Sequence, residues 1–182
     1  MTIAVIYGGT RPNGNTETLT EHVIQGLASE RIYLRDHQIQ PIIDMRHSPD
    51  GFQDRNDEYN SIIECILPHD IIIFSTPIYW YSMSGTMKNF IDRWSQTLRD
   101  PKFPDFKNKM ASKKAFVVAV GGDNPYLKGL PMIQQFKYIF DFMGMDFGGY
   151  VLGEGNKPED VLQDKAALFA ASQLHNKLIN AE

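Results

Sequence analysis

The chain has 182 residues, of which 42% are hydrophobic and 22% charged, so we expect one globular domain over residues 1–182 rather than a disordered or fibrous protein. Its 18 Lys and Arg against 22 Asp and Glu give a net charge of -4, which argues against a protein built to bind nucleic acid or an anionic membrane. The single cysteine, Cys65, excludes an internal disulfide, and no apolar run is long enough to span a bilayer, so we expect a cytoplasmic protein.

Short apolar runs predict the strands of a buried sheet, because a strand covered on both faces shows no polar alternation. The first run, Ile3 to Tyr7, stops at a pair of glycines. Arg31 to Arg35 is more polar and alternates, which predicts a strand near the edge of the sheet. The other predicted strands are Asp70 to Thr76, Ala115 to Val120 and Phe147 to Leu152.

Apolar residues at helical spacing fill the gaps between these strands. The first helix is predicted to start near Thr16. The last is predicted to start at Pro158, where Glu159 and Asp160 in the first turn suit the helix dipole. The apolar stripes are Leu19, Val23, Ile24 and Leu27; Ile62, Ile63, Ile66 and Leu67; Met87, Phe90, Ile91 and Trp94; Ile133, Phe136, Ile139, Phe140 and Met143; and Val161, Leu162, Ala166, Phe169, Leu174 and Leu178.

Strands and helices alternate along the chain, and this order predicts an α/β fold with a parallel sheet covered by helices on both faces. In such an open sheet the ligand site lies beyond the carboxyl ends of the strands, near the switch in strand order. The loops after the first, third and fourth strands are therefore the predicted site. Two long connections, Ile39 to Asp57 and Gln96 to Lys114, are also noted because long loops are often functional.

The loop after the first strand, Gly8 to Thr16, leads straight into a predicted helix. Its backbone N–H groups and the positive end of the helix dipole make an anion site. Asn15 stands where a triphosphate-binding loop has its lysine, and the dinucleotide fingerprint GxGxxG is absent. The loop is therefore predicted to hold a terminal monophosphate, although Glu17 lies close by. The alternative is a plain turn with Asn15 or Thr16 as helix cap.

Two further loops supply aromatic rings and bare backbone. Tyr79, Trp80 and Tyr81 follow the third strand, and three such rings cannot all face the core, so we expect some to line a cleft. The alternative is that they cover helix ends or a subunit interface. Gly121 and Gly122 allow close approach of a ligand to the backbone, or form a simple turn. Together the loops match flavin mononucleotide (FMN), which has one phosphate, a flat tricycle and a polar pyrimidine edge.

With these motifs the sequence resembles the flavodoxin-like NAD(P)H-dependent FMN reductase family, which includes quinone and azo reductases and the iron-sulfur flavoproteins. The resemblance rests on GGTRPNGNT at Gly8 to Thr16 and on STPIYWYSMSGTMKNFIDRW at Ser75 to Trp94. It implies an α/β three-layer sandwich with sheet order 2-1-3-4-5 and FMN held noncovalently. It also implies a homodimer or homotetramer with active sites near subunit interfaces.

The resemblance further implies which residues contact FMN, and it assigns no catalytic side chain, because the hydride chemistry belongs to flavin N5. Lys88 and Asp92, four residues apart on one helix face, are interpreted as a structural or interface pair. The implied FMN contacts are Thr10, Arg11, Asn13, Asn15 and Thr16 at the phosphate; Pro77, Ile78, Tyr79, Trp80, Tyr81 and Ser82 at the ring; and Gly121, Gly122 and Asp123 at the pyrimidine edge.

One segment departs from the iron-sulfur relatives, which carry a cysteine motif between the second strand and the second helix. Ile39 to His47 has no cysteine, so we expect no cluster and no metal. Electrons are then expected as hydride from NADPH or NADH. Cys65 lies among apolar residues and is expected to be buried rather than reactive. The histidines are expected at the surface or at helix ends: His22, His37, His47, His69 and His175.

The expected function is hydride transfer from NAD(P)H through FMN to a small-molecule acceptor of the quinone, nitro, azo or flavin class. Backbone N–H groups near Gly121 and Gly122 are expected to stabilise negative charge at the pyrimidine edge. The alternative is an electron-carrier flavodoxin without a nicotinamide site. Such carriers are usually more acidic, and one basic cluster does not suit docking to basic redox partners: Lys102, Lys107, Lys109, Lys113 and Lys114. A signalling receiver domain is set aside, because acidic residues are missing after the first strand.

Overall fold

The computed structural model describes residues 1–180 and contains one parallel five-stranded sheet. Its strands are β1 (Ile3–Tyr7), β2 (Ser29–Tyr33), β3 (Ile71–Pro77), β4 (Lys114–Gly121) and β5 (Asp146–Glu154). The strand order β2-β1-β3-β4-β5 confirms the predicted flavodoxin-like topology. Because β1 pairs with β2 on one side and with β3 on the other, the strand order reverses at β1, where a ligand crevice opens in folds of this class.

Helices cover both faces of the sheet, as the alternation of elements predicted. They are α1 (Asn15–Ile24), α2 (Tyr59–Ile66), α3 (Gly85–Asp92), α4 (Trp94–Thr97), α5 (Phe106–Ala111), α6 (Pro125–Lys128), α7 (Leu130–Met143) and α8 (Lys165–Ile179). Short 3-10 turns span Leu34–Asp36 and Asp160–Gln163. None of the helices within residues 1–180 is long and apolar enough to cross a membrane.

Two apolar clusters, one on each face, hold the sheet between the helices. Alternate residues of β1 point to opposite clusters, with Ile6 in the larger one and Val5 in the smaller. Phe74 of β3 anchors the larger cluster, where its ring lies 5.7 Å from that of Phe136 and 5.1 Å from that of Phe140. Each fully buried side chain of this size stabilises the fold by about 1.5–3 kcal/mol relative to an exposed one, so the central strands are firmly placed under the site.

A buried ion pair ties the long Ile39 to Asp57 connection to the helices. Arg93 is 1% exposed and donates from Nη1 to Asp57 Oδ2 at 2.6 Å and to the Gln40 carbonyl at 2.9 Å. Its guanidinium also lies 4.4 Å from the centre of the Tyr59 ring. Asp57, two residues before α2, therefore serves as a structural anchor for this connection.

Three predicted boundaries were wrong. β2 covers Ser29–Tyr33 rather than Arg31 to Arg35, because the chain turns at Leu34–Asp36. α1 ends at Ile24, since Gly26 takes a positive φ of 74°, so Leu27 lies beyond the helix. The stripe from Met87 to Trp94 is divided between α3 and α4.

The predicted start of the last helix was also wrong. Glu159 has a φ of 69°, which interrupts any helix from Pro158, and α8 begins only at Lys165. Asp164 is the N-cap, and its carboxylate accepts from Ala167 N at 3.0 Å. Asp160 instead accepts from the backbone N–H groups of Asn156 and Lys157, so its carboxylate closes a turn.

The Gln96 to Lys114 connection is partly helical, since it contains the second half of α4 and all of α5. The lysines of its predicted basic cluster are not all exposed. Lys113 is buried, and its ammonium donates to the carbonyls of Leu67 and His69. Burial holds the pKa of this ammonium below its usual range. The cluster therefore gives weaker evidence against the carrier alternative than its sequence indicated.

Candidate functional site

A cleft of about 760 Å³, measured to its open mouth, lies at the carboxyl ends of β1, β3 and β4. The structure brings nine of the predicted site residues together here: Thr10, Arg11, Asn15, Thr16, Pro77, Ile78, Tyr79, Gly121 and Gly122.

A second cavity of about 440 Å³ adjoins the cleft and shares Ile78, Gly121 and Gly122 with it. Three more predicted residues, Trp80, Tyr81 and Asp123, line this cavity and not the cleft. The remaining two line neither space, so their roles stay predictions. Asn13 lines a separate hollow along α1, and Ser82 donates from Oγ to Gln135 Oε1 at 3.0 Å.

The loop before α1 presents an uncapped helix N-terminus to the cleft. Gly14 is the N-cap residue of α1 and supplies no side-chain cap to the first-turn N–H groups. Asn13 has a φ of 54°, which lets the chain turn sharply before the helix. Backbone donors without a cap, together with the positive end of the helix dipole, suit an anion at this position.

The side chain of Asn15 joins this loop to the loop after β5. Its Nδ2 donates to the Lys157 carbonyl at 2.8 Å, and its Oδ1 accepts from Val161 N at 3.3 Å. A Cβ on Gly155 would lie 2.8 Å from the same Nδ2, so Gly155 leaves room for this contact. The predicted donor Asn15 therefore positions the loop with its side chain.

Ser84 anchors the start of the phosphate loop, the Gly8 to Thr16 segment after β1. Its Oγ donates to the Gly8 carbonyl at 2.6 Å and accepts from Met87 N at 3.1 Å as the N-cap of α3. A Cβ on Gly8 would lie 2.9 Å from both Met87 Cβ and Ser84 Oγ, so only glycine allows this close approach. Ser84 therefore holds the loop after β1 against the end of the loop after β3, where α3 begins.

The aromatic segment after β3 forms a two-residue turn. Tyr79 and Ser82 exchange backbone hydrogen bonds of 2.9 and 3.0 Å, and Trp80 and Tyr81 between them have φ values of 48° and 64°. This left-handed conformation is unusual for bulky residues and costs about 1–2 kcal/mol each. The turn leaves Trp80 94% exposed and Tyr79 half exposed, so both rings are available for contact with a ligand.

A charged contact joins this turn to the loop after β4. Tyr81 donates from its hydroxyl to Asp123 Oδ2 at 2.9 Å, and Lys128 lies 2.7 Å from both carboxylate oxygens. The hydrogen bonds from Lys128 and Tyr81 hold the pKa of Asp123 below its usual range. Lys128 was not among the predicted site residues, because sequence spacing alone does not show that α6 turns back towards the aromatic segment.

The cleft also contains residues that the sequence analysis missed. The missed lining residues are Tyr7, Gly9, Gly14, Arg35, Ser75, Val120, Gly155 and Asn156. Gly155 and Asn156 follow β5, a loop that was not among the three predicted ones. The parallel topology itself could have indicated it, because the end of β5 lies beside that of β4.

Arg35 is the charged side chain among these missed residues. Its Nη1 lies 3.0 Å from Glu17 Oε2, so the acidic charge noted beside the phosphate loop has a cationic partner. Arg35 was missed because the predicted β2 ran through it. The strand ends at Tyr33, and the turn that follows brings the Arg35 side chain to the cleft.

Titratable groups away from the cleft have structural contacts. Lys88 and Asp92 form the expected pair at 2.6 Å. His69 and His175 contact the carbonyls of Cys65 and Val23, as expected of histidines at helix ends. Cys65 is partly buried, and burial raises the pKa of its thiol. Within residues 1–180, no group of three or more His, Cys, Asp or Glu side chains is arranged to hold a metal ion.

The residues of the cleft fit FMN on their own chemistry. The uncapped end of α1 and two arginines, Arg11 and Arg35, suit a phosphate. Ile78 and Tyr79 suit a flat apolar ring. Gly122 exposes backbone at the far side, whereas Gly121 is buried and its carbonyl accepts from Gly155 N. A Cβ on Gly122 would lie 3.0 Å from Asn156 Cγ, so a side chain there would narrow the cleft.

Fold and cleft define a flavodoxin-like α/β protein with its site at the switch in strand order. Residues 1–147 match the NADPH-dependent FMN reductase family, and the chain belongs to that family. YwqN of Bacillus subtilis (strain 168), provisionally named an NAD(P)H-dependent FMN-containing oxidoreductase, is 64% identical over 174 residues, which are 96% of each chain.

Solved structures agree with this assignment. The Trp repressor binding protein from Bacillus subtilis has a TM-score of 0.82 at 58% identity, covering 95% of this chain and 97% of that one. An FMN-dependent NADH-azoreductase from Bacillus anthracis, in complex with FMN, has a TM-score of 0.70 at 13% identity, covering 98% and 99%, a likeness of fold. The family confirms the predicted oxidoreductase class and its use of FMN and NAD(P)H.

Proposed function

We propose that this protein transfers reducing equivalents from NADPH or NADH to a small-molecule acceptor of the quinone, nitro, azo or flavin class. The observation that carries this proposal is the cleft, which combines an anion site, an aromatic turn and exposed backbone at one edge of the sheet. FMN, when bound, supplies the hydride-accepting and hydride-donating chemistry.

The residues of the chain bind and orient the reactants. Thr10, Arg11 and Thr16 hold the phosphate together with the N-terminus of α1. Pro77, Ile78 and Tyr79 support one face of the ring. The N–H groups of Gly121 and Gly122 stabilise negative charge at its polar edge, because fixed backbone dipoles need no reorganisation during the reaction.

Trp80 and Tyr81 form the wall on which the nicotinamide and the acceptor stack in turn. Trp80 is almost fully exposed, and Tyr81 lines the second cavity beside Ile78, which adjoins the cleft. Planar aromatic surfaces favour planar ligands such as quinones and azo dyes.

We also propose that the protein works in the cytoplasm as a homodimer or homotetramer. The single cysteine and the mild net charge support this compartment. Large exposed apolar side chains support association: Tyr138 and Phe142 of α7 are each more than half exposed, as is Phe169 of α8. Light scattering of the purified protein measures the mass; a monomer at micromolar concentration contradicts the association.

Anaerobic titration of the FMN-loaded protein with NADPH and with NADH tests the function. We expect one or both nicotinamides to bleach the yellow flavin absorbance, and a quinone, nitro or azo compound to restore it. If the protein is yellow but neither nicotinamide bleaches it, the carrier alternative replaces the reductase. If FMN does not bind, both the reductase and the carrier hypothesis fail.

A further inference from the structure

Arg35 lies at the phosphate end of the cleft, in the turn that follows β2. Its Nη1 donates to Glu17 Oε2 at 3.0 Å, and both side chains are only 16% exposed. Water and salt screen such a pair less than they screen a pair on the open surface. Glu17 in turn belongs to the first turn of α1, beside the uncapped N–H groups.

The guanidinium of Arg35 is held in a stack of aromatic rings. Its Cζ lies 4.4 Å from the centre of the Tyr33 ring, and Tyr33 stacks on Tyr7 with ring centres 4.6 Å apart and planes within 18°. Stacking restricts the plane of a guanidinium, so less freedom is lost when it binds a ligand. Among residues 1–180, no group accepts a hydrogen bond from its second terminal nitrogen, Nη2.

The charges at this end of the cleft depend on Arg35. Arg11, Arg35 and Glu17 all line it, and together they leave one net positive charge. Asp36 Oδ1 also lies 3.8 Å from Arg35 Nε, but Asp36 does not line the cleft and its side chain is 64% exposed, so water screens its charge. Without Arg35 the carboxylate of Glu17 would cancel the charge of Arg11. A phosphate monoester carries about -1.5 to -2 charges at pH 7, and Glu17 alone would repel it.

We propose that Arg35 is the residue by which this cleft selects a phosphorylated flavin over an unphosphorylated one. Glu17 and Tyr33 hold its guanidinium in place, and the free nitrogen donates to a phosphate oxygen. Arginine suits this role because its planar fork matches phosphate geometry. The inference rests on the proposed function, since it takes FMN as the cofactor.

Calorimetric titration of the flavin-free protein with FMN and with riboflavin tests this role without any turnover. We expect Arg35→Met to weaken FMN binding by about 10- to 100-fold, the usual effect of losing a hydrogen bond to a charged group. Riboflavin affinity should change by less than about two-fold, because riboflavin has no phosphate for this group to contact. Arg35→Lys keeps the charge but not the fork, so it should bind FMN with intermediate affinity, and it keeps the test open if Arg35→Met does not fold.

The double variant Glu17→Gln/Arg35→Met separates charge from structure. Removal of the carboxylate removes the repulsion, so this variant should bind FMN more tightly than Arg35→Met alone. Riboflavin affinity should show no such recovery, because riboflavin carries no phosphate for Glu17 to repel.

Arg31 and Glu21 offer a matched control, since they form an ion pair of 2.9 Å between β2 and α1, next to the Arg35–Glu17 pair. This pair is more exposed, and neither residue lines the cleft. Arg31→Met removes the same charge, and we expect FMN affinity to stay within about two-fold of the unaltered protein.

The outcomes distinguish this inference from the proposed function. If the unaltered protein binds FMN and Arg35→Met binds it equally well, the inference is overturned and the proposed function stands. Equal losses for FMN and riboflavin also overturn it, because they indicate a structural role. If the unaltered protein binds no FMN, the proposed function fails and the inference fails with it.

Discussion

The hydroxyl of Tyr81 lies 2.9 Å from Asp123 Oδ2, and this hydrogen bond joins the loop after β3 to the loop after β4. The Lys128 ammonium binds the same carboxylate through both oxygens. Since the pKa of Asp123 is held below its usual range, the carboxylate stays ionised at neutral pH. The two loops beside the second cavity are therefore fixed relative to each other.

Tyr81→Phe removes this hydrogen bond and keeps the ring. We expect KM for a quinone or azo acceptor to rise by about two- to ten-fold with little change in kcat, as an exposed hydrogen bond contributes about 0.5–1.5 kcal/mol. Steady-state kinetics measure the effect. Tyr150→Phe is the control, since Tyr150 is an exposed residue of β5 outside both cavities; equal KM values in the two variants contradict the prediction.

Trp80→Asn tests whether the left-handed backbone conformation of Trp80 lowers the stability of the protein. Asparagine tolerates the left-handed conformation, and the exposed tryptophan loses few contacts on removal. We expect the free energy of unfolding to rise by about 0.5–1 kcal/mol while KM for planar acceptors increases. Urea unfolding and kinetics measure the two effects. Trp80→Ala is the control, because it removes the ring without favouring the turn; greater stability there as well would contradict the explanation.

Asp57→Asn tests the buried pair with Arg93. Burial alone would raise the pKa of Asp57, but hydrogen bonds from Arg93 and from backbone N–H groups outweigh it and hold this pKa below its usual range. A depressed folded-state pKa stabilises the fold above the unfolded value of about 3.9, and that stabilisation is lost as the pH falls through the folded value. At neutral pH the variant should be less stable by about 3 kcal/mol.

Urea unfolding between neutral and acidic pH measures this pH dependence. The unaltered protein should lose stability below about pH 4, and Asp57→Asn should lose less over the same range. Asp44→Asn is the control, as Asp44 forms an exposed pair with Arg46 and should change stability by less than about 1 kcal/mol. Parallel acid-side slopes for the unaltered protein and Asp57→Asn would refute the assignment.

Gly155→Ala tests the space beside Asn15. The added Cβ would lie 2.8 Å from Asn15 Nδ2 and 3.0 Å from Val161 N, so the loops must separate. We expect a loss of about 1–3 kcal/mol in stability, together with weaker FMN binding. Thermal unfolding and flavin titration measure these. Gly85→Ala is the control, because a Cβ there meets no atom within 4 Å; similar losses in both variants would contradict the steric explanation.

The sequence was sufficient to predict the sheet and most of the cleft. Buried strands such as Ile3–Tyr7 consist of continuous apolar residues, and the order of the strands follows from the family resemblance. Loop residues such as Thr10 and Ile78 could be placed because the ends of parallel strands meet at one edge.

Features that depend on backbone dihedral angles and long-range contacts were not predictable. The left-handed φ of Glu159 prevents a helix from starting at Pro158, and the spacing of apolar residues does not indicate this angle. Arg35 and Glu17 are 18 residues apart, and their pairing depends on where β2 ends. Lys128 likewise reaches Asp123 through the fold of α6 rather than through a sequence motif.

The two tryptophans of this chain occupy opposite environments. Trp80 is 94% exposed at the tip of the turn, whereas Trp94 is 3% exposed with the Phe74, Phe90 and Phe106 rings each 6.1 Å away. Their fluorescence therefore separates two events in one sample: emission from Trp80 reports occupancy of the second cavity, which it lines, and emission from Trp94 reports the integrity of the core. The protein carries its own pair of optical labels, one for ligand binding and one for unfolding.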